Sequence, residues 1–379
     1  MSSLPVSVSG KVDKKSLPLP TLADEKHEIN EQPPSGEIEI KLAEIWEKLL
    51  GHKIRDSNSD FFQLGGHSVL GIRLISLIEK EFNRRLSLTQ LFKTSTIATL
   101  AEVLKNDTSG STTNSFIIPL YLQKPTVPVF LFHPVGGNVI CYNALAGMLK
   151  NEYPVYVVEA PGVSVDWNVL PTVEEMAAEY VNAIYKSVSG GPVIFIGWSF
   201  GGLVAYEAVL QYRKMGGSVE KLIMLDSVAD NSTARDAMQM DENAVLLRLF
   251  SEHLPIDETA LRSKSGDERL EYLIQLGIDN AVLPIDFSKQ RMKGLLKTYH
   301  NNALAAARYA PRVSNEKALL IRPKKETISA FTISDEYLAW KGVLLGGVRL
   351  EWVDGDHESM LKEPFVKTVG EHVLNYLKS

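Results

Sequence analysis

A chain of 379 residues, 45% hydrophobic and 23% charged, has the balance of a globular protein and the length for two or three domains. Its formal charge of −6 leaves no basic footprint for nucleic acid, and no apolar run approaches the roughly 20 residues that span a bilayer, so neither nucleic-acid binding nor membrane insertion is expected. A single cysteine, Cys141, closes no internal disulfide, and the N-terminus carries no secretory pattern, which makes the cytosol the expected compartment.

Residues 1–20 are rich in Ser, Pro and Val without a helical period and read as an extended or turn-rich tail. Residues 21–35, with charges among Asn, Gln and the pair Pro33-Pro34, have the chemistry of a linker. From 36 to 105 the pattern is helical. Ile38, Leu42, Ile45, Trp46 and Leu49 recur at three- and four-residue spacing before a stop at Gly51. After a loop through Asp56–Asp60, a second helix, Ser68–Phe82, carries Leu70, Leu74, Ile75, Leu77 and Ile78. A short third piece surrounds Leu88–Phe92, and a last helix starts near Ser95, a candidate N-cap, with Ile97, Leu100, Ala101 and Leu104. Together they predict a small all-α bundle of four helices. Residues 106–116 are polar and tether rather than pack; ten such residues reach roughly 16–19 Å, which keeps the bundle at millimolar effective concentration beside the C-terminal region.

From residue 117 to 379 short apolar runs alternate with helical segments: Val127–Phe132, Val155–Val158, Val193–Ile196, Leu222–Leu225, Ala318–Ile321 and Val348–Val353. That alternation predicts a mostly parallel sheet covered on both faces. A purely helical stretch at about 230–308 interrupts it and reads as an inserted lid.

Gly197-Trp198-Ser199-Phe200-Gly201 falls between a strand and a helix, the setting of an α/β-hydrolase nucleophile turn. The glycines permit the sharp backbone that exposes the serine hydroxyl, and that hydroxyl needs a base oriented by a third group. Of eight histidines, His27 lies in the linker, His52 and His67 in the bundle, His253 and His300 in the lid, His372 in the last helix, and His133 before a glycine turn. His357 sits in a loop after the last strand, where the order Ser, acid, His places the base. Asp226 ends the run Leu222–Leu225 and is the candidate acid, unless it merely caps the next helix. The later strand end offers Arg322-Pro323-Lys324 and no acid. Candidate oxyanion donors are the amides of Phe200 and of Val135, in the turn His133-Pro134-Val135-Gly136-Gly137-Asn138. Cys141 reads as packing, Trp198 as either a site wall or packing behind the turn, and no metal site is read.

Asp60-Phe61-Phe62-Gln63-Leu64-Gly65-Gly66-His67-Ser68 puts a serine at a helix N-terminus, where it serves either as a cap or as an attachment point for a phosphate, since free amides and the helix dipole stabilise negative charge there. This segment resembles the phosphopantetheine-attachment motif of peptidyl carrier proteins. Leu4–Pro18 resembles the final motif of an adenylation domain, with Lys11 as its lysine. The FHPVGGN, GWSFGG, LDS and GDHESM segments, in order, resemble the C-terminal type I thioesterases of nonribosomal peptide synthetases. The resemblance covers essentially the whole chain. It implies 4'-phosphopantetheine on Ser68, donated by coenzyme A through a phosphopantetheinyl transferase, with upstream adenylation and condensation domains as partners. It also implies transfer of a peptidyl or acyl thioester to Ser199 and release by hydrolysis or macrocyclisation. Apolar residues beside the arm, Val69 and Leu70, then serve in docking or else point into the bundle. The competing functions are a silent docking module and an editing thioesterase or lipase-like hydrolase.

Overall fold

The computed structural model describes residues 32–379 apart from 63, 65, 67, 83, 85–90, 92–93, 106–115, 123–124, 162–168, 230–241, 252–253, 281–282, 284–286 and 326–334. The readings of the tail with Lys11, nearly all of the linker, His67, most of the piece at Leu88–Phe92, the tether and the lid entry lie outside the described residues.

Helices α1 (Gly36–Leu50), α2 (Ser68–Phe82) and α3 (Ile97–Lys105) form where the apolar spacing requires them. Their stripes meet on Leu42, Trp46, Leu74, Ile78 and Leu100, and Leu91, from the short piece between α2 and α3, is fully buried in the same core. Leu70 lies partly buried against that core, the second of its two readings. Gly51 ends α1 with a left-handed φ of 78°, and its amide donates to the Glu47 carbonyl at 2.9 Å. Ser95 is not the cap of α3. The helix begins at Ile97, so Thr96 takes the cap position, accepting from the Thr99 amide at 3.2 Å, while the Ser95 hydroxyl, one residue further out, donates to Asp60 Oδ2 at 2.5 Å.

A seven-stranded sheet comes next, in the order β1-β3-β2-β4-β5-β6-β7. The strands are β1 (Ile117–Tyr121), β2 (Val129–Phe132), β3 (Val155–Val158), β4 (Val193–Trp198), β5 (Val219–Leu225), β6 (Lys317–Pro323) and β7 (Gly347–Val353). β2 to β7 run parallel; β1 pairs antiparallel with β3. The apolar pattern does not reveal β1 because Pro119 breaks its run, and an edge strand is where a proline is tolerated.

The helices after the tether are α4 (Asn143–Leu149), α5 (Val173–Ser187), α6 (Phe200–Lys214), α7 (Glu242–Phe250), α8 (Glu258–Arg262), α9 (Gly266–Asp279), α10 (Lys289–Arg308) and α11 (Val366–Leu377). Strand β4 feeds both faces: Val193 and Phe195 pack with α5 and α6, while Ile194, Ile196 and Trp198 pack with α4 and α11. Helices α7 to α10 close around their own core of Leu246, Leu261, Leu273 and Met292. No helix among the described residues is long and apolar enough to cross a membrane.

Trp46 is fully buried and meets Phe61 edge-on at 5.0 Å. Trp46→Ala is expected to cost residues 36–105 about 3–5 kcal/mol. Hydrogen exchange should quicken there while β2 to β7 stay protected; slowed or unchanged exchange in α1 to α3 would contradict this packing.

Candidate active site

Ser199 sits between β4 and α6 with φ 55° and ψ −125°, a conformation that non-glycine residues reach only under constraint. The constraint is backbone against backbone. A Cβ on Gly197 would stand 2.1 Å from the Gly201 carbonyl oxygen, and one on Gly201 2.3 Å from that of Phe132. Only hydrogen fits at either position, so the helix turns away sharply and leaves Ser199 part-exposed at the sheet's C-terminal edge.

The ladder carries this edge across to the other groups. The Ser199 amide donates to Leu225 O at 2.9 Å, and the Asp226 amide donates to Ile321 O at 2.8 Å. Asp226, 5% exposed with φ 44°, therefore leaves β5 beside Ser199, in a left-handed conformation that aspartate tolerates. His357 Nδ1 donates to Asp226 Oδ2 at 2.7 Å, which leaves Nε2 as the basic nitrogen of the neutral ring. The loop that presents His357 is closed by Asp356, whose Oδ1 accepts from the Ser359 amide at 2.9 Å and hydroxyl at 2.7 Å. Asp354 pairs instead with Lys324 Nζ at 2.9 Å. Trp198 packs in the core shared with α4 and α11, and its ring lies 5.1 Å from that of His357 at a 30° tilt.

The strand end that lacked an acid supplies a cation. Arg322 is 6% exposed, with Nε 3.8 Å from Asp226 Oδ1, Nη1 donating to the Glu336 carbonyl at 2.9 Å, and its guanidinium 5.0 Å from the Trp352 ring. A buried carboxylate is costly without compensation, and Arg322 faces the oxygen that His357 does not use. Sequence reading passed over Arg322; its signal is a charged residue one position past a fully apolar strand run.

The other two sequence candidates flank the turn after β2. Phe200 is the first residue of α6, so its amide has no acceptor within the helix. Val135 lies in the glycine turn, and its amide has no backbone acceptor among the described residues. Tyr142, unnoticed in the sequence, staples the ends of β2 and β4: its hydroxyl donates to Phe132 O at 2.6 Å and accepts from the Trp198 amide at 2.7 Å. His133 is fully buried; Nδ1 donates to the Pro134 carbonyl at 2.9 Å and Nε2 accepts from the Tyr180 hydroxyl at 2.8 Å. Burial pushes its ring down to about 4, so it is a neutral structural histidine.

Ser68 is the first residue of the 15-residue α2, which has no acidic residue in its first turn. Ahead of it Gly66 packs so closely that a Cβ would stand 2.4 Å from the Phe61 ring. A hydroxyl residue at an uncontested positive helix end suits a phosphodiester, so these residues fit an attached 4'-phosphopantetheine.

Residues 127–374 match the thioesterase domain family, and residues 41–104 match the phosphopantetheine attachment site family, whose domain is the site of covalent 4'-phosphopantetheine attachment. Malpinin synthetase of Mortierella alpina is 30% identical over 99% of this chain and 4% of its own length. A dimodular nonribosomal peptide synthase of Bacillus subtilis is 28% identical over 98% of this chain and 15% of its own. A solved four domain nonribosomal peptide synthetase bound to AMP and glycine is 26% identical, with a TM-score of 0.65 over 99% of this chain and 28% of that one. The NocB thioesterase domain from the nocardicin cluster shares the fold at 21% identity and TM-score 0.50, covering 69% of this chain and 99% of that one. The chain thus spans 4% to 15% of the length of these curated relatives.

Because the buried His133 ring sits at about 4 against an ordinary 6.5, the folded state binds fewer protons than the unfolded chain, and stability present above pH 6.5 is lost as pH falls towards 4. From pH 7 to pH 4 this residue alone accounts for about 3 kcal/mol. Urea unfolding of His133→Gln should show a shallower acid slope than the unsubstituted protein; parallel slopes would show that His133 does not carry it.

Proposed function

The chain belongs to the thioesterase domain family, and on that premise we propose a carrier-tethered thioesterase of nonribosomal peptide biosynthesis. Residues 36–105 act as the peptidyl carrier domain, a four-helix bundle, and residues 117–379 as the releasing thioesterase with its lid near 230–308. Residues 1–20 belong to the last motif of an adenylation domain, with Lys11 as its lysine. The observation that supports release chemistry most is the 2.7 Å bond from His357 Nδ1 to the buried Asp226, at the sheet edge where Ser199 is presented.

In this reading Ser68 is the attachment residue. When attached, the phosphopantetheine group supplies a terminal thiol on a flexible arm, through which an acyl chain is held as a thioester. Ser199 Oγ attacks the thioester carbonyl carbon while His357 Nε2 accepts the hydroxyl proton and Asp226 stabilises the imidazolium. The amides of Phe200 and Val135 hold the oxyanion. As the carbon–sulfur bond breaks, His357 gives the proton to the leaving group, and Ser199 keeps the acyl group as an ester. His357 then deprotonates water or a nucleophile of the acyl group; its attack breaks the acyl–Oγ bond, Ser199 Oγ takes the proton back from His357, and the product leaves as a free acid or as a lactone or lactam. The partners are a phosphopantetheinyl transferase drawing on coenzyme A and the upstream adenylation and condensation domains.

Incubation of the full chain with coenzyme A and a phosphopantetheinyl transferase should add one phosphopantetheine by intact mass, and Ser68→Ala should abolish the gain. A fluorophosphonate should modify Ser199. Ser199→Ala should slow release from a synthetic acyl-pantetheine by at least about a thousandfold. Undiminished turnover by that variant would remove Ser199 from the reaction, and a mass gain on Ser68→Ala would move the attachment elsewhere.

A further inference from the structure

Helix α10, 20 residues long, belongs to two cores at once. Its first half contributes Met292, Leu295 and Leu296 to the lid core; its second half puts Ala305, followed by Tyr309, into the hydrolase core. Between Leu296 and Ala305 lies Asn302, 2% exposed, whose Nδ2 donates to the Val135 carbonyl at 2.9 Å. Val135 stands at the same junction, packing against the hydrolase core and against the small cluster of Val245, Tyr299 and Ala303.

The turn is held from its other side as well. The Pro134 carbonyl accepts from His133 Nδ1 at 2.9 Å and from the Gly137 amide at 2.9 Å. That carbonyl and the Val135 amide belong to one planar trans peptide and point in opposite directions, so pinning the oxygen aims the amide. The Val135 carbonyl belongs to the next peptide plane. Two pinned planes leave the dihedrals of Val135 no freedom, and the second pin is Asn302.

From this geometry we infer that Asn302 is a positioning residue for the oxyanion site: through the Val135 carbonyl, the lid helix holds the Val135 amide at the angle that oxyanion stabilisation requires. The inference rests on the reading of Val135 as an oxyanion donor. A water molecule satisfies such a carbonyl without fixing its direction; an amide anchored on a helix rooted in two cores does fix it. Preorganised donors act only within a narrow geometry, so loosening one costs rate without costing substrate affinity.

Asn302→Leu and Asn302→Asp both remove the donor. On a synthetic acyl-pantetheine each is expected to lower kcat about 10–100-fold with KM unchanged. Affinity for the trifluoromethyl ketone bearing the same acyl group, whose hemiketal oxyanion takes the same donors, should weaken by the same factor. Thr298→Val is the packing control: Thr298 lies one turn earlier on α10, 1% exposed, with a hydroxyl that has no hydrogen-bond partner among the described residues. It should leave kcat within about twofold. Folded Asn302 variants with unchanged kcat, an equal loss in Thr298→Val, or a kcat loss without weaker ketone binding would each overturn the positioning role. Val135→Pro, which deletes the amide N–H, tests the underlying reading separately; if the proline variant does not fold, replacement of Val135 by the matching α-hydroxy acid, which exchanges that N–H for an ester oxygen, takes its place. If the Val135 variant is slow and the Asn302 variants are not, only the positioning inference fails; if the Val135 variant is as fast as the unsubstituted protein, the donor assignment fails.

Discussion

Backbone meets backbone without any side chain between at the start of α6, and the arrangement of the site depends on that approach. Gly201 lies against the Phe132 carbonyl and Gly197 against the Gly201 carbonyl, each so close that a methyl group would overlap. The end of β2, the end of β4 and the first turn of α6 are thereby locked together, with the Tyr142 hydroxyl bridging Phe132 and Trp198 as a second fastening. Ser199 takes its left-handed conformation because no other path joins these segments. The cost of that conformation, roughly 1–3 kcal/mol, is met by the packing around it.

Electrostatics then decide how the neighbouring strand ends are used. A carboxylate that is 5% exposed is unfavourable on its own, and Asp226 is compensated on both oxygens: His357 at 2.7 Å on one, Arg322 at 3.8 Å from the other. Opposite charges at about 4 Å attract by about 4 kcal/mol in a protein of effective dielectric 20, enough to offset much of the desolvation. Arg322 is itself held by the Glu336 carbonyl and the face of Trp352, so the strands β5, β6 and β7 act together on a single carboxylate. His133, in contrast, is enclosed by Tyr180 and its own neighbouring carbonyl and is built to stay neutral.

Helices α7 to α10 enter the same network. Helix α10 lends its first half to one core and its second half to another, and through Asn302 it reaches the turn after β2. In the proposed reaction a helix so placed bears on the direction of a backbone amide.

Much of this was legible in the chain itself, wherever the cause is local. Period 3.6 marked α1 to α3, short apolar runs marked the parallel strands, and glycines flanking Ser199 marked a turn whose shape depends on adjacent residues alone. Chain order further singled out Asp226 and His357, because both follow strand ends that the pattern located. What stayed hidden depends on register and packing between distant segments. Arg322 meets Asp226 only because β5 and β6 are paired neighbours, Tyr142 reaches Trp198 across 56 residues, and Asn302 reaches Val135 across 167. Pro119 concealed β1 because its meaning depends on whether the strand lies at an edge. Sequence determined which residues could do chemistry, since composition and local dihedrals are written along the chain; tertiary structure alone decided which groups hold them in place, since those contacts arise only when the sheet and the helices have closed upon one another.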